Sequence, residues 1–359
     1  MLVGNRGCGM NERDALMRTI CENPDDDTPR LVFADWLQEN GDEERAEFIR
    51  VQIELCGLPD GKTKQKRQVR EKELLDAHID EWGAPFRQFE VQGSFRQFVF
   101  GVRFHRGFVW EISINDEESR FVDNAAKLFQ LTPIERLNLL HKSQHGDLAR
   151  CPEMLRVKEL LLDRQALETA DVAALLRSRY LLTLTRLDII ADDDNGHMEL
   201  EGLELLGRTK SLPALRHLDL SFNYCGWMFS EEREGWLGRL TKGKLIAQLE
   251  TLRLRSADVT DECVRILARC KRAASLRHLD LSGNSISQDA LRSLAGSRNL
   301  TALTTLDLRE NDYNADGTGR VSDCPSETKQ LLEARFGSGL LLDGKADPHP
   351  LDELFKSFG

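Results

Sequence analysis

A ladder of apolar residues recurs through most of the chain, and Leu276-Arg277-His278-Leu279-Asp280-Leu281-Ser282-Gly283-Asn284 shows its form: apolar residues at the first, fourth and sixth positions and asparagine at the ninth. Copies begin at Val109, Ile134, Val157, Leu184, Leu215, Leu249, Leu276 and Leu303, at intervals of 23 to 34 residues and close to 28 on average. The last five are the clearer ones, and the first three are degenerate. Alternation around the inner Leu-x-Leu is the period-two signal of a short strand, and a repeat of this length leaves room for a returning helix. Such helices are predicted at Thr260–Ala268, where Cys263, Val264 and Leu267 share a face, at Ser287–Ala295 and at Thr169–Leu176. One copy cannot bury its apolar face alone, so stacking must create the core. The ladder therefore predicts an α/β solenoid with parallel inner strands and outer helices over 109–342. Asn223, Asn284 and Asn311 are expected to bond buried backbone where the chain leaves each strand.

These words resemble the leucine-rich repeat, in the ribonuclease-inhibitor-like form of about 28 residues. The resemblance implies the solenoid and a recognition role, and it names no activity.

Upstream of the ladder, residues 10–83 read as a helical module. Thr28 before Pro29 reads as an N-cap followed by a proline in the first turn, Asn40-Gly41 as a stop, and Asp42 as the start of a helix with two apolar stripes. A third long helix is predicted from about Thr63 to Trp82. The run Asn23-Pro24-Asp25-Asp26-Asp27-Thr28-Pro29-Arg30-Leu31-Val32-Phe33-Ala34-Asp35-Trp36-Leu37, followed by Asn40-Gly41-Asp42 and Arg45-Ala46-Glu47-Phe48-Ile49-Arg50-Val51-Gln52, resembles the planctomycete-type repeat-companion domain. That family is a short bacterial module N-terminal to repeat regions, with no established biochemical role. Asp35, Arg45, Glu47 and Arg50 read as charges that cap helices and pair with one another. Residues 84–108 read as an aromatic-rich capping connector, with Phe98, Phe100, Val102 and Phe104 alternating as in a strand. Residues 1–9 read as a flexible tail, and 343–359 as a linker with a short amphipathic segment, either a cap or a partner helix.

Chemistry is sparse in this sequence. Gly57–Thr63 is one residue short of a P-loop and follows a helix instead of a strand. His141 and His145 lack the glutamate of a zinc helix, with Cys151 the nearest third ligand, and no nucleophile elbow or Cys/His dyad occurs. The eight cysteines show no CxxC pair, so reduced core thiols are expected. The stretch Asp312-Tyr313-Asn314-Ala315-Asp316-Gly317-Thr318-Gly319-Arg320-Val321-Ser322-Asp323 fits a calcium loop, with oxygens from Asp312, Asn314, Asp316, Thr318 and Asp323. Position 12 is aspartate where glutamate is usual, and a strand precedes the loop where an EF-hand has a helix. Calcium therefore stands as an alternative, and no other cofactor is implied.

Strand residues between the leucines face the inner side. The middle column reads Asp188, Asp219, Arg253, Asp280 and Asp307 through the clear copies, flanked by Arg186, His217, Thr251, His278 and Thr305 and by Ile190, Ser221, Arg255, Ser282 and Arg309. Leu140, Leu161 and Ile190 would form an apolar patch at one end. Tyr224, Trp227, Phe229 and Trp236 crowd the longest repeat interval in a chain with 7% aromatic residues, and aromatic loop residues are favoured interface anchors. Asp188, Asp219, Arg253, Arg255, Asp280, Asp307, Tyr224, Trp227 and Phe229 are thus the candidate partner-binding residues. A net charge of -11 argues against nucleic-acid or acidic-membrane partners. The basic run Lys62–Lys72 reads as a solvated helix face. Without an apolar leader or a long apolar span, the expectation is a cytoplasmic, non-enzymatic interaction protein with a protein ligand.

Overall fold

The computed structural model describes residues 12–87, 89, 99–115, 121–140, 145–163, 167–191, 198–223, 235–311 and 326–345. Its contacts divide the chain into two units, Met1–Asn115 with Arg120–Leu137, and Asn138–Gly359 with Asp116–Ser119.

The first unit contains α1 (Glu12–Glu22), α2 (Thr28–Glu39), α3 (Glu43–Gly57), α4 (Lys62–Arg87), the strands β1 (Val99–His105) and β2 (Phe108–Asn115), and α5 (Phe121–Leu131). Ile20, Phe33, Ala34, Leu37, Ala46, Ile49 and Phe108 form its core. Asp42 caps α3 as expected, accepting the Arg45 N–H at 3.3 Å. The start of α2 differs from the reading of Thr28 as its cap. Thr28 is already helical, Asp27 is the flanking residue, and the Asp26 carboxylate accepts the Thr28 N–H at 2.9 Å. Helix α4 runs past the expected end at Trp82 and contains Pro85. A proline so near the C-terminus forfeits one backbone bond, and buried Phe86 holds the last turn on the core. The basic run does lie on α4 as a solvated face, with Arg67 paired to Glu54, Arg70 to Glu47 and Glu73, and Lys72 to Asp76.

Strands β1 and β2 form an antiparallel hairpin, with register shifts between Val99 and Gly101 and between Arg103 and Phe104. These irregularities break the simple alternation expected across Val102 and Phe104. The hairpin also means that the degenerate ladder copy at Val109 lies on an antiparallel strand. Arg106 and Gly107 turn with φ of 50° and 84°, the left-handed pair of a tight hairpin. Strand β3 (Arg136–Leu140) spans the division between the units.

The second unit is the ladder made solid. It contains α6 (His145–Leu148), β4 (Glu159–Asp163), α7 (Thr169–Leu176), β5 (Arg186–Ile190), α8 (Leu200–Arg208), β6 (His217–Asp219), α9 (Leu237–Thr241), β7 (Thr251–Arg253), α10 (Asp261–Arg269), β8 (His278–Asp280), α11 (Gln288–Ala295), β9 (Thr305–Asp307), α12 (Ser326–Phe336) and β10 (Leu340–Leu341). Strands β4 to β10 pair in parallel in sequence order. Each helix from α7 to α12 packs on the next. Leu218, Leu252, Leu279 and Leu306 occupy one register row and are all buried.

The ladder asparagines do what their position demands. Asn284 donates to the carbonyls of Leu254, Leu281 and Ser282 at 2.8, 2.9 and 3.0 Å and accepts the Ala257 and Val259 N–H groups at 3.1 and 3.0 Å. Asn223 and Asn311 reach back in the same way, to Ile189 at 2.7 Å and Leu281 at 2.8 Å. Immediately before these asparagines, Phe222, Gly283 and Glu310 have positive φ, as does Ser256 at the matching position of the copy that has Ala257 in place of asparagine. The chain therefore leaves these strands through one recurring left-handed turn, which the apolar ladder alone does not announce.

Candidate recognition surface

Parallel register assembles the predicted columns. Asp188, Asp219, Arg253, Asp280 and Asp307 stand side by side on β5 to β9, and Arg186, His217, Thr251, His278 and Thr305 form the row beside them. Strands spaced about 4.8 Å apart place successive members of a row within reach of one partner.

The aspartates belong more to the wall than to its surface. Asp188, Asp219 and Asp307 are buried and Asp280 is half-buried. Asp219, Asp280 and Asp307 each accept the backbone N–H two residues on, from Ser221, Ser282 and Arg309 at 2.9, 2.9 and 3.0 Å. That local bond shapes the left-handed exit turn. Asp188 takes both its oxygens to Arg186 Nε at 2.9 Å, and Asp307 is forked by Arg309. Each of these two arginine–aspartate pairs therefore closes within its own repeat, between residues two apart in sequence.

Burial sets the electrostatics. Asp219 is pushed up to about 6, first by loss of water and then by the Asp188 charge, against the pull of Ser221 and Arg253. Burial also raises Asp280, with Ser282 opposing it and Asp307 adding to it. Burial lowers His217, and the Arg186 charge adds to that. Its Nδ1 lies 3.0 Å from the Thr251 hydroxyl. Burial works against the Arg186 charge as well, but Asp188, Asp219 and Glu159 outweigh it and the guanidinium is held above its ordinary value.

The column's arginines differ in their freedom. The Arg186 and Arg309 side chains are 24% and 13% exposed in their close pairs. Arg255, at 18%, pairs with Glu310 at 3.2 Å and lies over the Phe222 ring. Arg253 is 41% exposed, and among the described residues its ion-pair partner is Asp219, at 3.8 Å. The residues two positions away are Thr251 on the strand and Arg255 in the turn after it, so neither offers Arg253 a carboxylate.

Other expected features fall differently. Leu140, Leu161 and Ile190 are buried, so they add no exposed apolar patch. Trp236 is a core residue whose Nε1 donates to the Asp258 carbonyl at 3.2 Å. Tyr224, Trp227 and Phe229, and the calcium-type oxygens of Asp312, Asn314, Asp316, Thr318 and Asp323, lie outside the described residues, as do His141 and the amphipathic segment after Pro350. Burial and the neighbouring Glu153 push the Cys151 thiol up to about 12, which opposes thiolate ligation. Among the described residues there is no cluster of His, Cys, Asp and Glu able to hold a metal, and no helix is long and apolar enough to cross a membrane.

Parallel strands, asparagine turns and returning helices in this order give the second unit the fold of a leucine-rich repeat solenoid. The Leucine Rich Repeat family profile matches residues 275–296, from the start of one ladder copy, through β8, to the end of α11. No curated protein matches the chain in sequence. Among solved structures it is similar to a protein from Bacteroides fragilis, with 18% identity over 52% of this chain and 50% of that one and a TM-score of 0.39. It is also similar to an internalin from Listeria monocytogenes, with 14% identity over 66% of this chain and 62% of that one and a TM-score of 0.36. The chain thus spans between half and two thirds of the length of these structures.

Proposed function

We propose that the chain is a non-enzymatic interaction scaffold that binds a protein on the strand face of its second unit, centred on Arg253. One observation carries this reading: in a column whose other charges are engaged in the wall, Arg253 keeps its side chain 41% exposed and, among the described residues, pairs with a carboxylate no closer than 3.8 Å. His278 is exposed on the adjacent strand, and Thr251 and Thr305 are half-buried, so the face offers a cationic anchor among hydrogen-bonding groups. Arginine in such a setting is a favoured hot-spot residue, and its planar fork selects carboxylates. The partner would present an acidic side chain at the centre of a contact of the order of 800 Å² per side. Tyr224, Trp227 and Phe229, between β6 and α9 in sequence, are proposed as further partner-binding residues. The helical module at 10–83 is proposed as a repeat-companion domain.

Site-specific photo-crosslinking tests the reading. A crosslinker at Thr251 should capture the partner, and one at Arg292 on α11 should not. Equal capture from both positions would remove the strand face from the proposal.

A further inference from the structure

The first unit contains a pocket of about 200 Å³. Rings and aliphatic chains, among them Met17, Phe33, Trp82, Phe86 and Phe108, line it beside the polar members Arg13, Asp42, Arg45, Glu81 and Thr132. Arg45 is the unusual one. It leaves the first turn of α3 and sets its guanidinium carbon 4.6 Å from the centroid of Trp82 and 5.3, 5.5 and 5.6 Å from those of Phe48, Phe104 and Phe108.

Four rings satisfy the flat faces of a guanidinium but not its N–H groups. Nη2 donates to the Gly107 carbonyl, while Nη1 is buried and meets no protein acceptor. Among the described residues no carboxylate comes within ion-pair distance of Arg45, although Arg50, Arg67 and Arg70 of the same unit each have at least one. The two acids at the pocket are engaged elsewhere. Asp42 caps α3, and Glu81 lies 3.2 Å from His78 Nδ1. Burial accordingly pulls the Arg45 guanidinium down to about 9, with Asp42 opposing and Arg13 adding to the fall. A buried cation without a counter-charge is strongly unfavourable, and what this one lacks is an anionic acceptor.

We propose that this pocket binds a small organic carboxylate, with its oxygens on Arg45 and its apolar body against Phe33, Trp82 and Phe108. The cage is already filled by a cation, which disfavours an ammonium ligand, while the rings beside the guanidinium reward an organic body and the acids Asp42 and Glu81 oppose the higher charge of inorganic phosphate. A volume below the roughly 300–1,000 Å³ of sites for larger ligands limits the body to about one ring or a short branched chain.

Phenylacetate, phenylacetamide and inorganic phosphate titrated into the full chain test this, read by tryptophan fluorescence and by the melting temperature. Phenylacetate should quench saturably and raise the melting temperature, and the amide and phosphate should bind at least about tenfold more weakly, since a charge-assisted pair is lost in one case and the apolar contact in the other. In Arg45→Gln the acid should lose its advantage over the amide. If that variant does not fold, the acid-to-amide comparison in the unmodified chain decides. No saturable response to phenylacetate, equal binding of acid and amide, or an acid preference that survives in Arg45→Gln would overturn the proposal.

Discussion

Asn284 concentrates the logic of the repeat in one side chain. It is 6% exposed and joins three carbonyls and two N–H groups from two successive copies. Asn284→Ala should cost about 3 kcal/mol, because the loss leaves several buried backbone groups without partners; urea unfolding measures it, and a change under about 0.5 kcal/mol would show that the turn holds without the asparagine. This role was legible in the sequence, since the ninth position of the ladder has no other reason to be polar. The state of Asp219 was not, because Leu-Asp-Leu-Ser reads identically whether its aspartate is wet or dry. In the folded chain Asp219 titrates near 6, above its ordinary 3.8, so the native state holds the proton more tightly than the unfolded one. Its contribution to stability is therefore fully present below about 3.8 and is lost as pH rises through 6. Asp219→Asn keeps an oxygen for the Ser221 N–H and removes the charge. The variant should match the unmodified chain near pH 4 and exceed it in stability by pH 7, as chemical denaturation across that range will read; a constant difference would contradict the buried-charge account.

Among the elements, close backbone approaches decide which changes are tolerated. A Cβ on Gly107 would lie 2.5 Å from Ile49 Cγ1, at a φ of +84° that side chains rarely adopt. Gly107→Ala should cost about 2–4 kcal/mol through clash and strain together, and should melt the first unit at lower temperature. In the second unit a Cβ on Gly243 would fall 1.7 Å from the Gly207 carbonyl oxygen, where the turn after α9 meets the end of α8. Gly243→Ala should be at least as damaging, and calorimetry that finds its melting unchanged would rule out this packing of successive helices. Helix α7 was readable to the residue from the repeat spacing, and α10 and α11 to within a residue at each end. The hairpin shifts and the extension of α4 past Trp82 were not, since both depend on what packs against them. The Arg45 pocket was hidden for a related reason: Phe33, Arg45, Trp82 and Phe108 come from four elements, and no local word connects them.

For the whole molecule, register converts a one-dimensional ladder into a graded surface. The sequence displays the column Asp188, Asp219, Arg253, Asp280, Asp307 but not which charges are free. That becomes readable once residues two apart are taken as same-face neighbours: Arg186 beside Asp188 and Arg309 beside Asp307 close on themselves, whereas Arg253 has only Thr251 and Arg255. A contact anchored on so exposed a charge should form rapidly and weaken with salt. The most direct measurement is the affinity of the partner captured at Thr251 for three forms of the full chain: unmodified, Arg253→Glu and Arg292→Glu. The account predicts a loss of at least about tenfold for Arg253→Glu, the scale of one disrupted charged contact, and little change for Arg292→Glu on α11. Equal affinity of all three, or a larger loss from Arg292→Glu, would contradict it.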